Sequence, residues 1–395
     1  MPCDRLLNAQ LSVESMRKRL LLLLSLGWIF NYAHRMAIPP LIPMIKAELG
    51  INNAEAGLLM TALLLPYALV QVPAGYLGDR LGRKRLLVMS IIGYSLSSAL
   101  ILFARGYWQL LVVRALYGLF SGFYYAPATA LISDVYRERK GSALGVFMVG
   151  PPVGTGIAPL IVVPIALSLQ WRYAFVVLSV LSLAVGLALI FAVRGEVSKP
   201  AGASFSIPRH AFPLSAANFV VLAAFFGLLT FLVSFLVNSG LTMGEASALF
   251  SLLSVIGIAG SLLGGGLYDR IERKSISVVF GLNALLTFLL SLTASPWVVV
   301  PLGLTFYSVG AIVTAYTSEK ASPENLGPVM GFVNMVGFFG ATVGPYLLGL
   351  LIDHLGYEQA FLAVPAMYLL AWGLIRLEKI EEGRKEKSDG GISRT

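Results

Sequence analysis

Twelve stretches of mainly apolar residues follow one another along the chain, separated by short polar breaks. Their approximate centres are Phe30, Pro66, Ser95, Phe120, Pro152 and Leu183, then Phe226, Ile256, Leu285, Tyr307, Gly337 and Met367. About 20 such residues in helical form cross the hydrocarbon core of a bilayer. A helix is also the form in which each stretch satisfies its own backbone in lipid. Of the 395 residues, 57% are hydrophobic and 12% charged, whereas a soluble domain carries roughly a quarter charged residues. The fold class expected is therefore an all-α integral membrane protein with twelve transmembrane helices.

The basic residues orient these spans. With the N-terminus inside, 24 of the 29 Lys and Arg residues fall in inside segments. Three (Lys46, Arg105 and Arg172) fall in outside loops, and Arg35 and Arg114 fall within spans. This bias predicts that both termini are cytoplasmic and that the chain crosses the cell membrane many times. The net charge of +9 reflects these short bursts rather than a nucleic-acid surface. The lone Cys3 excludes a disulfide framework within the chain. After Arg17-Lys18-Arg19 the apolar run continues past Phe30 with no small-residue cleavage site, so it reads as a first span rather than a cleaved signal.

The chain is also repeated. Gly75-Tyr-Leu-Gly-Asp79-Arg80-Leu-Gly-Arg83-Lys84 follows the second span, and Gly265-Gly-Leu-Tyr-Asp269-Arg270-Ile-Glu-Arg273-Lys274 follows the eighth. Six of the ten positions agree at an offset of 190 residues. A second echo links Gly145, Gly154 and Ala158-Pro159 to Gly331, Gly340 and Gly344-Pro345, at an offset of 186. Between the halves lies a polar stretch rich in Pro, Gly and Ser. The expected organisation is a six-helix bundle over residues 1–194, a cytoplasmic linker over 195–213, and a second bundle over 214–395 ending in a basic tail. Parallel repeats of this kind suit alternating access.

At these residues the chain resembles the major facilitator superfamily. The segment Gly75 to Lys84 looks like the family's signature loop G-x-L-x-D-R-x-G-R-K, and the second copy is weaker, with Glu272 in place of Gly82. Arg114-Ala-Leu-Tyr-Gly118-Leu-Phe-Ser-Gly122 is similar to the family's fourth-span motif, and Trp171-Arg172-Tyr173-Ala174-Phe175 to the start of its sixth span. The resemblance implies a fold of two pseudo-symmetric bundles and a gate at the inner face. In it Asp79, Arg83 and Asp134 would form a latch supported by Gly75 and Arg80, echoed by Asp269, Arg270 and Arg273. The glycines and prolines of the fifth and eleventh spans, Gly145, Gly154, Pro159, Gly340, Gly344 and Pro345, partly match an antiporter motif of drug-efflux members. They read more simply as sites of close helix packing and bending.

An arginine at membrane depth is costly and marks a site by default. Arg35 lies about 15 residues into the first span, or roughly 22 Å at the helical rise, and Arg114 lies at a comparable depth in the fourth. Two inward cations at one level suit an anionic substrate. The alternatives are an Arg35 that reaches the outer headgroups and an Arg114 that links the first and fourth spans. The stretch Asn31-Tyr32-Ala33-His34-Arg35 resembles the Asn-Tyr-x-Asp-Arg of the organic-anion symporter branch, where the Arg contacts a carboxylate. His34 here stands in place of the Asp, and it either carries a coupling proton or hydrogen-bonds a neighbouring helix. Tyr32, Tyr67, Gln71, Tyr124, Tyr307 and Asn334 are the further candidates for the cavity lining.

These features point to a secondary transporter of a small solute, with an organic anion as the favoured substrate and ion or proton coupling. An efflux antiporter for amphipathic compounds and a non-transporting membrane sensor are the alternatives. No clustered catalytic groups suggest an enzyme, and no G-x-x-x-x-G-K-[ST] loop suggests ATP. No cofactor or metal is expected; the partners expected are the substrate, the bilayer and a coupling proton, with the chain a monomer.

Overall fold

The computed structural model describes the backbone of residues 2–192, 211–320 and 326–376. Side chains are described from residue 14 within these ranges, apart from Val72, Asp79, Ala192 and residues 326–328. Most of the expected linker, the basic tail and the Asp79 side chain therefore lie outside the described residues.

The helices are α1 (Pro2–Arg35), α2 (Ile38–Leu49), α3 (Asn53–Leu81), α4 (Arg83–Ala99), α5 (Tyr107–Gly122), α6 (Tyr125–Val135), α7 (Lys140–Met148) and α8 (Gly150–Ser168). They continue as α9 (Trp171–Ala192), α10 (Ala211–Asn238), α11 (Met243–Ile271), α12 (Lys274–Thr293), α13 (Pro296–Lys320), α14 (Leu326–Leu355) and α15 (Tyr357–Phe361). Among the described residues, eleven helical segments are long and apolar enough to cross a membrane. The twelfth span is the fourth in order. It divides into α5 and α6, of 16 and 11 residues, each too short alone.

The chain divides into two compact units, Met1–Ile51 with Ala62–Ala201, and Asn52–Thr61 with Gly202–Thr395. In the first unit three spans are interrupted: between α1 and α2, α5 and α6, and α7 and α8. Sequence explains two of these breaks. Pro39 enters the first turn of α2, and Pro151 that of α8, where a missing N–H costs nothing and the fixed φ suits a start. Pro39 and Pro40 thus open α2, and Pro43 lies inside it. In the second unit α10, α11, α13 and α14 run unbroken for 25 to 30 residues.

Close helix contact in the second unit rests on small residues. A methyl carbon at Gly340 would stand 2.0 Å from Phe219 O, and one at Gly344 would stand 2.1 Å from Ala223 O. These glycines bring α14 against α10. The first turn of α3 clusters with this unit as well. Asp353 accepts hydrogen bonds from the backbone N–H groups of Asn53 (2.9 Å) and Ala54 (2.8 Å), a carboxylate at the positive end of a helix.

Candidate functional site

The site is built on α1, in the first unit. One stripe of this helix is bound from outside through its backbone carbonyls. Tyr124 donates to Leu24 O at 2.7 Å, Tyr94 to Gly27 O at 3.1 Å and Tyr117 to Asn31 O at 2.5 Å. Gly27 leaves room for the first of these, since a methyl carbon there would stand 2.3 Å from the Tyr124 hydroxyl. Arg114, fully buried, completes the row with long bonds to His34 O (3.4 Å) and Arg35 O (3.3 Å). The last carbonyls of a helix have no partner within it, and a cation there also opposes the negative end of the helix dipole. Arg114 therefore ties the fourth span to the end of α1, the linking role that the sequence left open beside substrate contact.

Arg35, the last residue of α1, is fully buried. Its guanidinium carbon lies 4.4 Å from the Tyr32 ring centroid and 4.1 Å from that of Tyr67. Cation–π contacts of this kind contribute about 2 kcal/mol when desolvated. One terminal nitrogen donates to Asn31 Oδ1 at 3.4 Å, while Nε and Nη1 find no acceptor among the described residues. No carboxylate lies within ion-pairing distance of it in that set either; the ion pairs found there, Lys18–Glu14, Arg83–Asp134, Arg172–Glu48 and Arg273–Glu319 among them, involve other cations. A buried cation with unfilled donors and no counter-ion is the arrangement that an anion completes.

His34 lies about 100° round the helix from Arg35. Its Nδ1 is 2.8 Å from Ser98 Oγ and its Nε2 3.1 Å from Ser182 Oγ, and Ser182 is in turn 2.6 Å from Ser95 Oγ. Serine hydroxyls donate or accept, so they serve either imidazole tautomer. His34 thus joins α1 to α4 and α9.

The structure brings Arg35, Tyr32 and Tyr67 together, places Gln71 one turn further along α3, and sets Tyr124 on Trp28, with ring centroids 5.7 Å apart. Tyr307 and Asn334 belong to the second unit, where the Tyr307 hydroxyl donates to Ser254 at 3.3 Å and Asn334 is half-buried. Trp28, Asn31, Tyr94 and Tyr117 were not among the candidates read from sequence. The signal that would have found Trp28 is its helical register with Tyr32 and Arg35.

The basic loop supplies a second constellation. Arg83 pairs with Asp134, joining α4 to α6, and Lys84 donates to Ile190 O of α9 at 2.8 Å. Arg80 is exposed and lies 4.8 Å from the Tyr76 ring, and a Cβ at Gly75 would meet nothing within 4 Å among the described residues. The repeat in the second unit has the same plan with another acid. Arg273 pairs with Glu319 at 2.7 Å, and the Tyr268 hydroxyl donates to the same carboxylate, joining α11 to α13. Asp269 and Arg270 are exposed. Glu319 ends the tenth span as Asp134 ends the fourth, a correspondence visible in the sequence once the repeat is extended to the next helix.

Among the glycines and prolines of the fifth and eleventh spans, a methyl carbon at Gly154 would stand 2.2 Å from Ile29 O, whereas one at Gly145 meets nothing within 4 Å among the described residues. Pro159 and Pro345 lie inside α8 and α14.

The chain is 26% identical over 387 residues to the hexuronate transporter of Bacillus subtilis, with 89% of this chain and 92% of the relative aligned. It is 28% identical over 406 residues to the gentisate transporter of Corynebacterium glutamicum, covering 94% and 91%. Its fold matches the crystal structure of a bacterial homolog to the human lysosomal transporter Spinster, with a TM-score of 0.80 at 19% identity, covering 92% of this chain and 97% of that one. The profile of the Major Facilitator Superfamily matches residues 24–345 and 300–393. This multi-pass membrane transporter belongs to the Major Facilitator Superfamily.

Proposed function

We propose that the chain carries a small organic anion by secondary active transport, with Arg35 as the anchor for its acid group. The observation that carries this reading is the fully buried Arg35 guanidinium, held between two tyrosine rings with Nε and Nη1 lacking acceptors among the described residues. Charge-assisted hydrogen bonds are about twice as strong as neutral ones, and exclusion from water strengthens them further. The names of two relatives, the hexuronate and gentisate transporters, support the same class, since both compounds are carboxylates. Arg114 fixes the end of α1 and so sets the position of Arg35.

The cycle is rocker-switch alternating access by the two bundles, 1–194 and 214–395, in a monomer of the cell membrane with both termini cytoplasmic. Movement is coupled to an ion or proton. The loop from Gly75 through Asp79, Arg80 and Arg83 to Asp134, with Asp269, Arg270 and Arg273 in the repeat, acts as the inner latch. Gly154, Gly340 and Gly344 keep the helices in close register as the bundles rock, and Gly145, Pro159 and Pro345 supply the bends.

Purified protein reconstituted in liposomes tests the reading. Uptake or counterflow of galacturonate or gentisate, stimulated by an imposed proton or sodium gradient and lost in Arg35→Gln, is the expected outcome. Transport of cationic amphipaths with indifference to carboxylates would support the efflux alternative and overturn the anion reading.

A further inference from the structure

The stripe of α1 next to the bound carbonyls behaves in the opposite way. One residue further round, or 100°, it presents Ser25, Trp28, Tyr32 and Arg35. Here Ser25 Oγ, Trp28 Nε1 and Arg35 Nε and Nη1 are all buried without a hydrogen-bond partner among the described residues. On α3, one turn beyond the Tyr67 that covers Arg35, Gln71 Nε2 is in the same condition. The nitrogens are donors, and they lie on two helices that meet at Arg35. Each buried donor left without an acceptor costs about 1–3 kcal/mol, so a row of them asks for an explanation.

The direction of the Trp28 N–H is fixed. Its ring is 2% exposed and stacks on Tyr124 (5.7 Å, 9°) and on Phe147 (5.6 Å, 10°). Tyr32 meets it edge-on at 5.0 Å and then lies against the Arg35 guanidinium. Trp28 and Arg35 are two turns apart, about 10 Å at the helical rise, and Gln71 lies about 6 Å along α3 from Tyr67. The Tyr32 ring touches both Trp28 and Arg35, and the Tyr67 ring touches Arg35 one turn before Gln71.

We infer that Trp28 and Gln71 are specificity-determining residues, which donate hydrogen bonds to a second acceptor group of the anion held by Arg35. The class selected is an acid that also bears hydroxyl, carbonyl or further acid oxygens within about 10 Å of its carboxylate; a simple monocarboxylate fills only the arginine end. This inference rests on the anion reading above.

Calorimetric binding of benzoate, gentisate and galacturonate to the purified full chain tests it, using wild type, Trp28→Phe, Gln71→Leu and Arg35→Gln. Trp28→Phe keeps a ring in the stack and deletes the N–H; Gln71→Leu is an independent arm outside that stack. The wild type is expected to prefer the hydroxylated acids to benzoate. Each of the two variants should raise Kd for the hydroxylated acids by about tenfold, the worth of one buried hydrogen bond, while leaving benzoate within about twofold. Equal weakening of all three acids, no weakening of any, or no binding or preference for the hydroxylated acids in the wild type would overturn the inference. Arg35→Gln reads the parent proposal separately. Loss of all three acids upholds the arginine anchor whatever the other variants do, and retention of all three removes it.

Discussion

At the scale of single residues, the repeat and the backbone disagree at one position in an informative way. Gly82 adopts φ 91°, and its counterpart Glu272 adopts φ 45°. Both copies turn here with a positive φ, at ψ 127° for Gly82 and −131° for Glu272, and the second does so with a side chain that disfavours positive φ. That strain is worth about 1–2 kcal/mol. Glu272→Gly is expected to raise the melting temperature of the purified protein, and a fall would contradict the account of the turn. Arg114 offers a second test. Arg114→Gln shortens the side chain and withdraws its donors from His34 O and Arg35 O, at a cost of about 1–3 kcal/mol, so melting should fall and anion affinity should weaken with it. Arg114→Gln that binds the anion normally and melts normally would show that the end of α1 needs no such clamp. The arginines themselves were legible in the sequence because charge at membrane depth is rare. What each arginine does was not, because Arg114 acts on backbone carbonyls and Arg35 is placed by tyrosines from two helices, and neither relation leaves a pattern of spacing.

At the scale of elements, hydropathy marked all twelve spans but not their interruptions. The breaks at residues 36–37 and 123–124 fall inside single spans that hydropathy reads as continuous. An apolar run reads the same whether or not its helix is broken, so the fourth span shows as two short helices only in three dimensions. The prolines at 39 and 40 follow a break closely and open the helix after it, where a missing N–H and a fixed φ suit a start. The glycines divide in the same manner. A methyl carbon at Gly340 would stand 2.0 Å from Phe219 O, whereas one at Gly145 meets nothing within 4 Å among the described residues. Gly340→Ala should therefore separate α14 from α10 and destabilise by about 1–3 kcal/mol. Gly145→Ala should be neutral or stabilise by about 0.5–1 kcal/mol through helix propensity. Thermal unfolding of the two variants side by side reads the contrast, and equal destabilisation would mean that sequence echo rather than packing decides which glycines matter.

At the scale of the whole molecule, the duplicated sequence builds one device twice. An arginine from the start of α4 or the turn before α12 pairs with an acid at the far end of a neighbouring span, Asp134 in one unit and Glu319 in the other. The first pair was readable from the resemblance to the signature loop; Glu319 becomes readable only when the repeat is extended past the loop to the end of the next helix. Both pairs are partly exposed, and such pairs contribute at most about 1 kcal/mol each, enough to bias a conformational equilibrium without being needed for folding. Asp134→Asn and Glu319→Gln are expected to lower the maximal transport rate several-fold with substrate affinity little changed. A loss of affinity at an unchanged rate would place these residues elsewhere in the cycle.

The central claim is that one buried arginine holds the acid group of the substrate. Galacturonate and gentisate binding to wild type and to Arg35→Gln, measured by calorimetry on protein of matched melting behaviour, tests it most directly. Loss of two charge-assisted hydrogen bonds at about 1.5–3 kcal/mol each predicts at least a hundredfold rise in Kd. Binding within threefold of the wild type would contradict it.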